Sequence, residues 1–220
     1  MARIEDFTNP AVGATVEPGT GAQRVSLVPR GYGFGVAATS GVLTAALAIN
    51  STFFAMRLDP SASRRAFIER VRVEWTTIVA FTTAVTAGRR LGLYGAQLSG
   101  TPTGGTAIAT AMPKHGIADT SEFSAANGGD IRISATGVIT VAGTVNANPY
   151  REMSLTHMGA AGAYRDAVWE FAAGAESQPI QLDPGQALLI RNPQAMDAAG
   201  TFQLAVAVDW YEAPAMDYTG

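Results

Sequence analysis

The sequence predicts an all-β chain, a β-sandwich or jelly roll of about nine to eleven short strands, and three observations predict it. The first is alternation. In Thr201–Glu212, Phe202, Leu204, Val206, Val208 and Trp210 occupy one parity, and Gln203, Ala205, Ala207, Asp209 and Tyr211 the other. Successive side chains of a strand point to opposite faces, so this run lays five large apolar groups on one face, whereas a helix would scatter them. The second is punctuation. Asp183-Pro184-Gly185 is a turn signal, and Ser99–Gly105 and Ala125–Gly129 are clusters of chain breakers. The third is that short apolar runs recur at regular spacing, with no convincing amphipathic helix longer than two turns.

The chain divides into an extended N-terminal arm, residues 1–30, and one β-sandwich domain, 31–220. Pro10, Pro18 and Pro29 interrupt the arm, and its apolar residues (Phe7, Val12, Val16, Val25, Leu27) are isolated. Such a segment cannot bury a face of its own. It reads either as a loose terminus or as an arm that orders across a neighbouring subunit, with Val25–Leu27 adding a short strand. Tyr32–Ala38 and Ser51–Leu58 are strands, with a helical turn or loop at Leu43–Ile49 between them. Arg64–Thr83 is the longest strand: Val71, Val73 and Trp75 alternate with Arg70, Arg72 and Glu74, which face solvent or an interface. Alternation is lost at Ile78–Phe81, which implies burial on both faces or a bulge.

Arg89–Leu98 follows as the antiparallel partner of that long strand, with Leu91, Leu93 and Tyr94 inward. Asp130–Ser134, Val138–Val141, Met153–Met158 and Ala167–Phe171 are further short strands, and Ala107–Met112 is an indifferent one. The closing pair, Pro179–Arg191 and Thr201–Glu212, reads as a long hairpin closed by residues 197–200. Trp75, Trp169 and Trp210 lie inside strands and are expected in the core.

With 220 residues the chain needs no staple: folding at this length buries roughly 70% of the unfolded surface. It has no cysteine, which excludes disulfides, thiolate catalysis and zinc–thiolate sites together. Only 15% of residues are charged, and Lys114 is the only lysine. A net charge of −3 argues against a nucleic-acid partner, which demands a basic face. Gly31–Met56 carries no charge, but its Gly, Ser, Thr and Asn fit two short strands better than a membrane span. Neither a nucleic acid nor a membrane is expected as a partner.

No catalytic, cofactor-binding or metal-binding residue is assigned. His115 and His157 lack the companions a zinc site requires. Ser154, His157 and Asp166 are near one another in sequence, but no Gly-x-Ser-x-Gly elbow accompanies them. Gly31-Tyr32-Gly33-Phe34-Gly35 lacks nucleotide-loop spacing and reads as close backbone packing in a strand. Glu74, Glu170, Asp183 and Asp209 form no pair that the sequence can single out as glycosidase carboxylates. The interface candidates are the arm residues Phe7, Val12, Val16, Val25 and Leu27, the charged-face residues Arg70 and Arg72, and Tyr32, Tyr211 and Tyr218, whose rings offer apolar area with a polar tip.

Several short motifs occur in a particular order: Arg24-Val25-Ser26-Leu27 ending the arm, Tyr32–Ala38, Phe53–Arg57 and the Thr/Ala-rich end of Arg64–Thr86. Asp130–Ser134, Asp183–Gln186, Leu189–Asn192 and Val206–Glu212 follow. In that order the chain resembles a loose family of tailed-bacteriophage virion proteins, over most of residues 24–212. The resemblance implies a jelly roll or similar sandwich that assembles as a homotrimer on the outside of the head. There it would decorate or cement the lattice of the major capsid protein, with no catalytic residue and no cofactor. The rival expectation is a receptor- or glycan-binding module of a phage fibre, spike or baseplate; an enzyme, such as a cupin-like oxygenase or a glycan hydrolase, comes third.

Overall fold

The computed structural model describes residues 4–5, 13–16, 23–25, 33–44, 46–82, 88–108, 112–113, 120–171, 178–196 and 199–214. They are almost entirely strand, with one 3-10 turn at Ala125–Asn127. β1 (Ile4–Glu5), β2 (Gly13–Val16) and β3 (Gln23–Val25) form a small antiparallel sheet of their own. The segment read as an arm therefore contains short strands that hydrogen-bond to one another and not to the two larger sheets.

Two seven-stranded antiparallel sheets make the sandwich. Sheet I holds β4 (Gly33–Thr39), β5 (Leu43–Thr44), β7 (Arg64–Val79), β10 (Met112–Pro113), β14 (Tyr164–Glu170), β15 (Ile180–Leu182) and β17 (Thr201–Pro214). Its order is β10-β4-β17-β7-β14, with β5 on β17 and β15 on β7. Sheet II holds β6 (Thr52–Arg57), β8 (Arg90–Leu98), β9 (Thr106–Ala107), β11 (Asp130–Ile133), β12 (Gly143–Val145), β13 (Arg151–Ser154) and β16 (Gln186–Arg191). Its order is β12-β8-β16-β6-β11-β9, with β13 on β8. Nine of these strands have four residues or more, which matches the strand number read from the sequence; the rest are two- and three-residue pieces.

Eight strands carry the frame: β4, β6, β7, β8, β13, β14, β16 and β17. The first pairs with the last (Val36 opposite Val208) and the second with the seventh (Met56 opposite Leu188). The third pairs with the sixth (Val73 opposite Ala167) and the fourth with the fifth (Leu91 opposite Met153). Two of the expected pairings are corrected by this arrangement. β8 is not the partner of β7 but lies in sheet II, because Phe81, in the connection between them, is drawn into the core 6.0 Å from Trp75. β16 and β17 are not a hairpin but lie in opposite sheets, and the buried Met196 of their connection bonds back to Leu47. The turn at Asp183–Gln186, with Gly185 at φ +84°, likewise passes the chain from sheet I to sheet II.

The expected inward set of β17 is inward: Phe202, Leu204, Val206, Val208 and Trp210 are all buried. Phe202 stacks on Trp75 at 4.0 Å and meets Phe53 edge-on at 5.7 Å, an aromatic centre of the kind that dominates core energetics. β7 keeps pace with β17 through two bulges. Arg70 lies opposite Asp209 and Ile68 opposite Trp210, so Glu69 is an extra residue. That extra residue lets Ala66 and Ile68 share the buried face with Val71, Val73 and Trp75 although their parity differs. At the other end Ile78 is skipped between Thr77 and Val79; Ile78 and Val79 are exposed, so lost alternation there reflects a bulge and not two-sided burial.

Two-sided burial does occur in sheet II. Leu91, Leu93, Leu188 and Ile190 face the main core, while Ala55, Tyr94, Ala96, Leu98, Ala187 and Leu189 pack with Ile139 in a second cluster on the other side. Tyr94 is thus buried as expected, but in the opposite direction from Leu93.

Candidate interaction face

Sheet I leaves its outer face uncovered along β14, β7, β17 and β4, and residues opposite one another in register share that face. Arg70 stands opposite Asp209 and Glu170, Arg72 opposite Ala207 and Val168, and Glu74 opposite Ala205 and Asp166. Ala37 and Gly35 of β4 continue these rows opposite Ala207 and Asp209. The middle of the face is therefore a floor of alanine and glycine, a shallow depression of about 380 Å³ with Arg72 and Glu74 on its rim.

The two arginines are each paired with acids, while the four carboxylates, Asp209, Glu170, Glu74 and Asp166, leave the face net negative. Arg70 Nε donates to Asp209 Oδ2 at 2.9 Å, and Arg72 lies 2.8 Å from Glu74 and 3.7 Å from Asp166. Exposed pairs of this kind contribute about 0–1 kcal/mol each to stability, so their main effect is to neutralise the two arginines. At its far end the Tyr211 ring stacks on Phe67 at 4.8 Å, nearly parallel. Burial, and then the charge of Glu69, push the Tyr211 phenol above its ordinary range. Tyr164 and Val168 stand exposed on β14, the last strand on this side of the sheet order.

Of the ten interface candidates, Arg70, Arg72 and Tyr211 come together here. Val16 and Val25 lie on β2 and β3, while Phe7, Val12, Leu27, Tyr32 and Tyr218 lie outside the described residues. The alanine floor was legible as the small residues at the outward parity of β17; the contribution of β14 was not, because its pairing is set by tertiary contacts.

The chemical alternatives do not assemble. His157 is exposed, and His115 lies outside the described residues. Ser154 Oγ sits 3.1 Å from Thr156 Oγ1 on sheet II, whereas Asp166 belongs to sheet I. Asp183 is held by Arg65 at 2.7 Å. Among the described residues no group of three or more His, Asp or Glu is placed to hold a metal ion, and no helix is long and apolar enough to cross a membrane.

One buried acid escaped the sequence reading. Glu212 continues the inward parity of Phe202–Trp210 and is fully buried. Its carboxylate accepts from Ser121 Oγ at 2.6 Å, the Glu122 backbone N–H at 3.0 Å and Trp210 Nε1 at 3.0 Å, with Arg64 3.7 Å away. Burial pushes its pKa above the ordinary carboxylate value, and the donors and Arg64 pull against that. With Phe123 edge-on to Trp210 at 5.3 Å, this network ties the segment around residues 121–123 to β17. Its geometry is that of a structural anchor.

No family model matches the chain, and no curated protein does. Among solved structures, one of the Gt strain of infectious bursal disease virus aligns at 12% identity with a TM-score of 0.10. The alignment covers 93% of this chain, which spans 45% of that one. A likeness that weak carries no argument.

Proposed function

We propose that this chain is a structural virion protein that decorates or cements the outside of a tailed-phage capsid by binding the lattice of its major capsid protein. The observation that carries the reading is the outer face of sheet I: open across four strands, floored by Ala37, Ala205 and Ala207, with its arginines matched to neighbouring acids. A protein that docks on a repeated lattice needs such a face more than a pocket, because arginines already paired with acids can be covered without stranding a buried cation. The resemblance of its short motifs to those of phage virion proteins is what points the reading to a capsid lattice. On this reading the arm, residues 1–30, reaches a neighbouring subunit or the capsid, and the protein works as a homotrimer.

The strand pairing supports a jelly roll as the finer description of the sandwich. Pairing first with last, second with seventh, third with sixth and fourth with fifth is what results when one long antiparallel ribbon is wrapped into two sheets, an architecture used by viral capsid and lectin domains.

A glycan-binding module is the second reading. It has in its favour a shallow depression of about 370 Å³ lined by Tyr150, Arg151, Phe171 and two glutamines, Gln178 and Gln181. Co-sedimentation with capsids built from the major capsid protein separates the two. The capsid role predicts saturable co-sedimentation that weakens when residues 1–30 are removed. Absence of capsid binding together with retention on a glycan surface would replace it with the second reading.

A further inference from the structure

Sheet I ends on β14. The strand pairs with β7 over seven residues, from Tyr164 opposite Thr76 to Glu170 opposite Arg70, and the register runs without a bulge. On its other side it has no neighbour in the sheet order. Bonds at its two ends fix which backbone groups are free. Thr77 N donates to Ala163 O at 2.9 Å and Phe171 N to Glu69 O at 2.8 Å, so the odd-numbered residues bond to β7. The N–H and C=O groups of Tyr164, Asp166, Val168 and Glu170 therefore point away from β7, and no described residue bonds to them.

Such an edge is a template for another strand, and proteins commonly blunt it with proline, a bulge or a cover. Among the described residues β14 has none of these. The four residues with free backbone groups also carry side chains of the outer face. Tyr164 is 52% exposed and Val168 47%, and they alternate with the exposed acids Asp166 and Glu170. Asp166 shares Arg72 with Glu74, which lies closer to it, and Arg70, opposite Glu170, is turned to Asp209. Apolar groups and incompletely compensated acids thus alternate along the edge.

We infer that the edge of β14 receives an extended strand with basic side chains opposite Asp166 and Glu170 and apolar ones opposite Tyr164 and Val168. The inference rests on the capsid role proposed above, so the strand belongs to the major capsid protein. Backbone hydrogen bonds to the edge give affinity, and the alternate side chains give specificity. Charge selects the occupant. A second copy of β14 could pair with the edge only through the even-numbered residues. A two-fold pairing centred on Asp166 or Val168 sets acids directly opposite acids, and one centred on Ala167 sets them diagonally. A basic strand meets both acids with opposite charge and extends the sheet without stranding either.

The test is co-sedimentation with capsids of the major capsid protein, using the full-length wild type and two variants whose folds are checked by circular dichroism. Val168→Pro removes an N–H that faces away from β7 and leaves the bonds to β7 in place. Asp166→Lys with Glu170→Lys reverses the charge of the edge. Both variants are expected to bind capsids at least about tenfold more weakly than the wild type. Hydrogen exchange on the wild type needs no variant and reads the contact by parity. Capsid binding should slow the amides of Tyr164, Asp166, Val168 and Glu170 and leave those of Arg165, Ala167 and Trp169 as they were. A folded Val168→Pro variant that binds like the wild type overturns the inference and leaves the capsid role standing. Undiminished binding by the lysine variant overturns the basic partner, and the inference with it. Slow exchange at the four amides without capsids would give the edge to a second copy and overturn it too. A wild type that does not bind capsids removes the capsid role and this inference together.

Discussion

Replacing Glu212 by alanine removes the acceptor from three donors at once, and the surroundings decide the magnitude. Ser121 Oγ, the Glu122 N–H and the Trp210 indole N–H all point at a carboxylate that is 0% exposed. A buried donor left unsatisfied costs about 1–3 kcal/mol, and breaking a buried charged pair about 3–5 kcal/mol. Relaxation of the 121–123 segment and water entry recover part of this, so the expected loss is about 4 kcal/mol. For a chain of this size that lowers Tm by about 8–16 °C.

The pH dependence follows from the direction of the Glu212 shift. Its folded pKa is raised by burial above the ordinary 4.5, so the folded state holds this proton more tightly than the unfolded one. The contribution is fully present below 4.5 and is lost as pH rises through the folded value. Glu212→Gln keeps the shape, costs about 1–3 kcal/mol by placing an amide among donors, and removes the titration. Urea unfolding of wild type and Glu212→Gln across the acid range is the assay. The stability gap is expected to be widest at the lowest pH and to narrow as pH rises. A loss below about 1 kcal/mol for Glu212→Ala, or a gap that widens with pH, would refute the reasoning.

Three further outcomes are expected. Phe202→Ala removes the ring stacked on Trp75 at 4.0 Å and should cost about 3–5 kcal/mol in urea unfolding. Gly185→Ala places a side chain at φ +84°, with its Cβ 2.7 Å from Gln97 Nε2, and should cost about 1 kcal/mol or more by the same measurement. Arg70→Ala, which breaks the exposed pair with Asp209, should change stability by less than about 1 kcal/mol while weakening capsid co-sedimentation.

Local rules carried the strands further than their partners. Alternation in β17 identified both its buried face and the alanines of the outer one, since a half-buried strand records its two environments in its two parities. Alternation says nothing about which sheet a strand joins. β8 and β17 therefore read as hairpin partners of their sequence neighbours, while the fold sends β7 and β8, and likewise β16 and β17, to opposite layers. The Glu69 bulge was hidden because one extra residue is visible only against the strand it faces. Glu212 was legible in principle, an acid at the inward parity one step beyond Trp210, but its donors at residues 121–122 lie about ninety positions away. The outer-face arginines were legible on β7, and their acidic partners Asp209 and Asp166 only when β17 and β14 were laid beside them.

The most direct test of the account is to fill the alanine floor and weigh what the capsid retains. Ala207→Trp adds bulk without charge at the centre of the outer face of sheet I, and co-sedimentation with capsids of the major capsid protein reads the consequence. The account predicts a folded variant of wild-type molar mass that no longer co-sediments. A folded variant that binds capsids as the wild type does would contradict it.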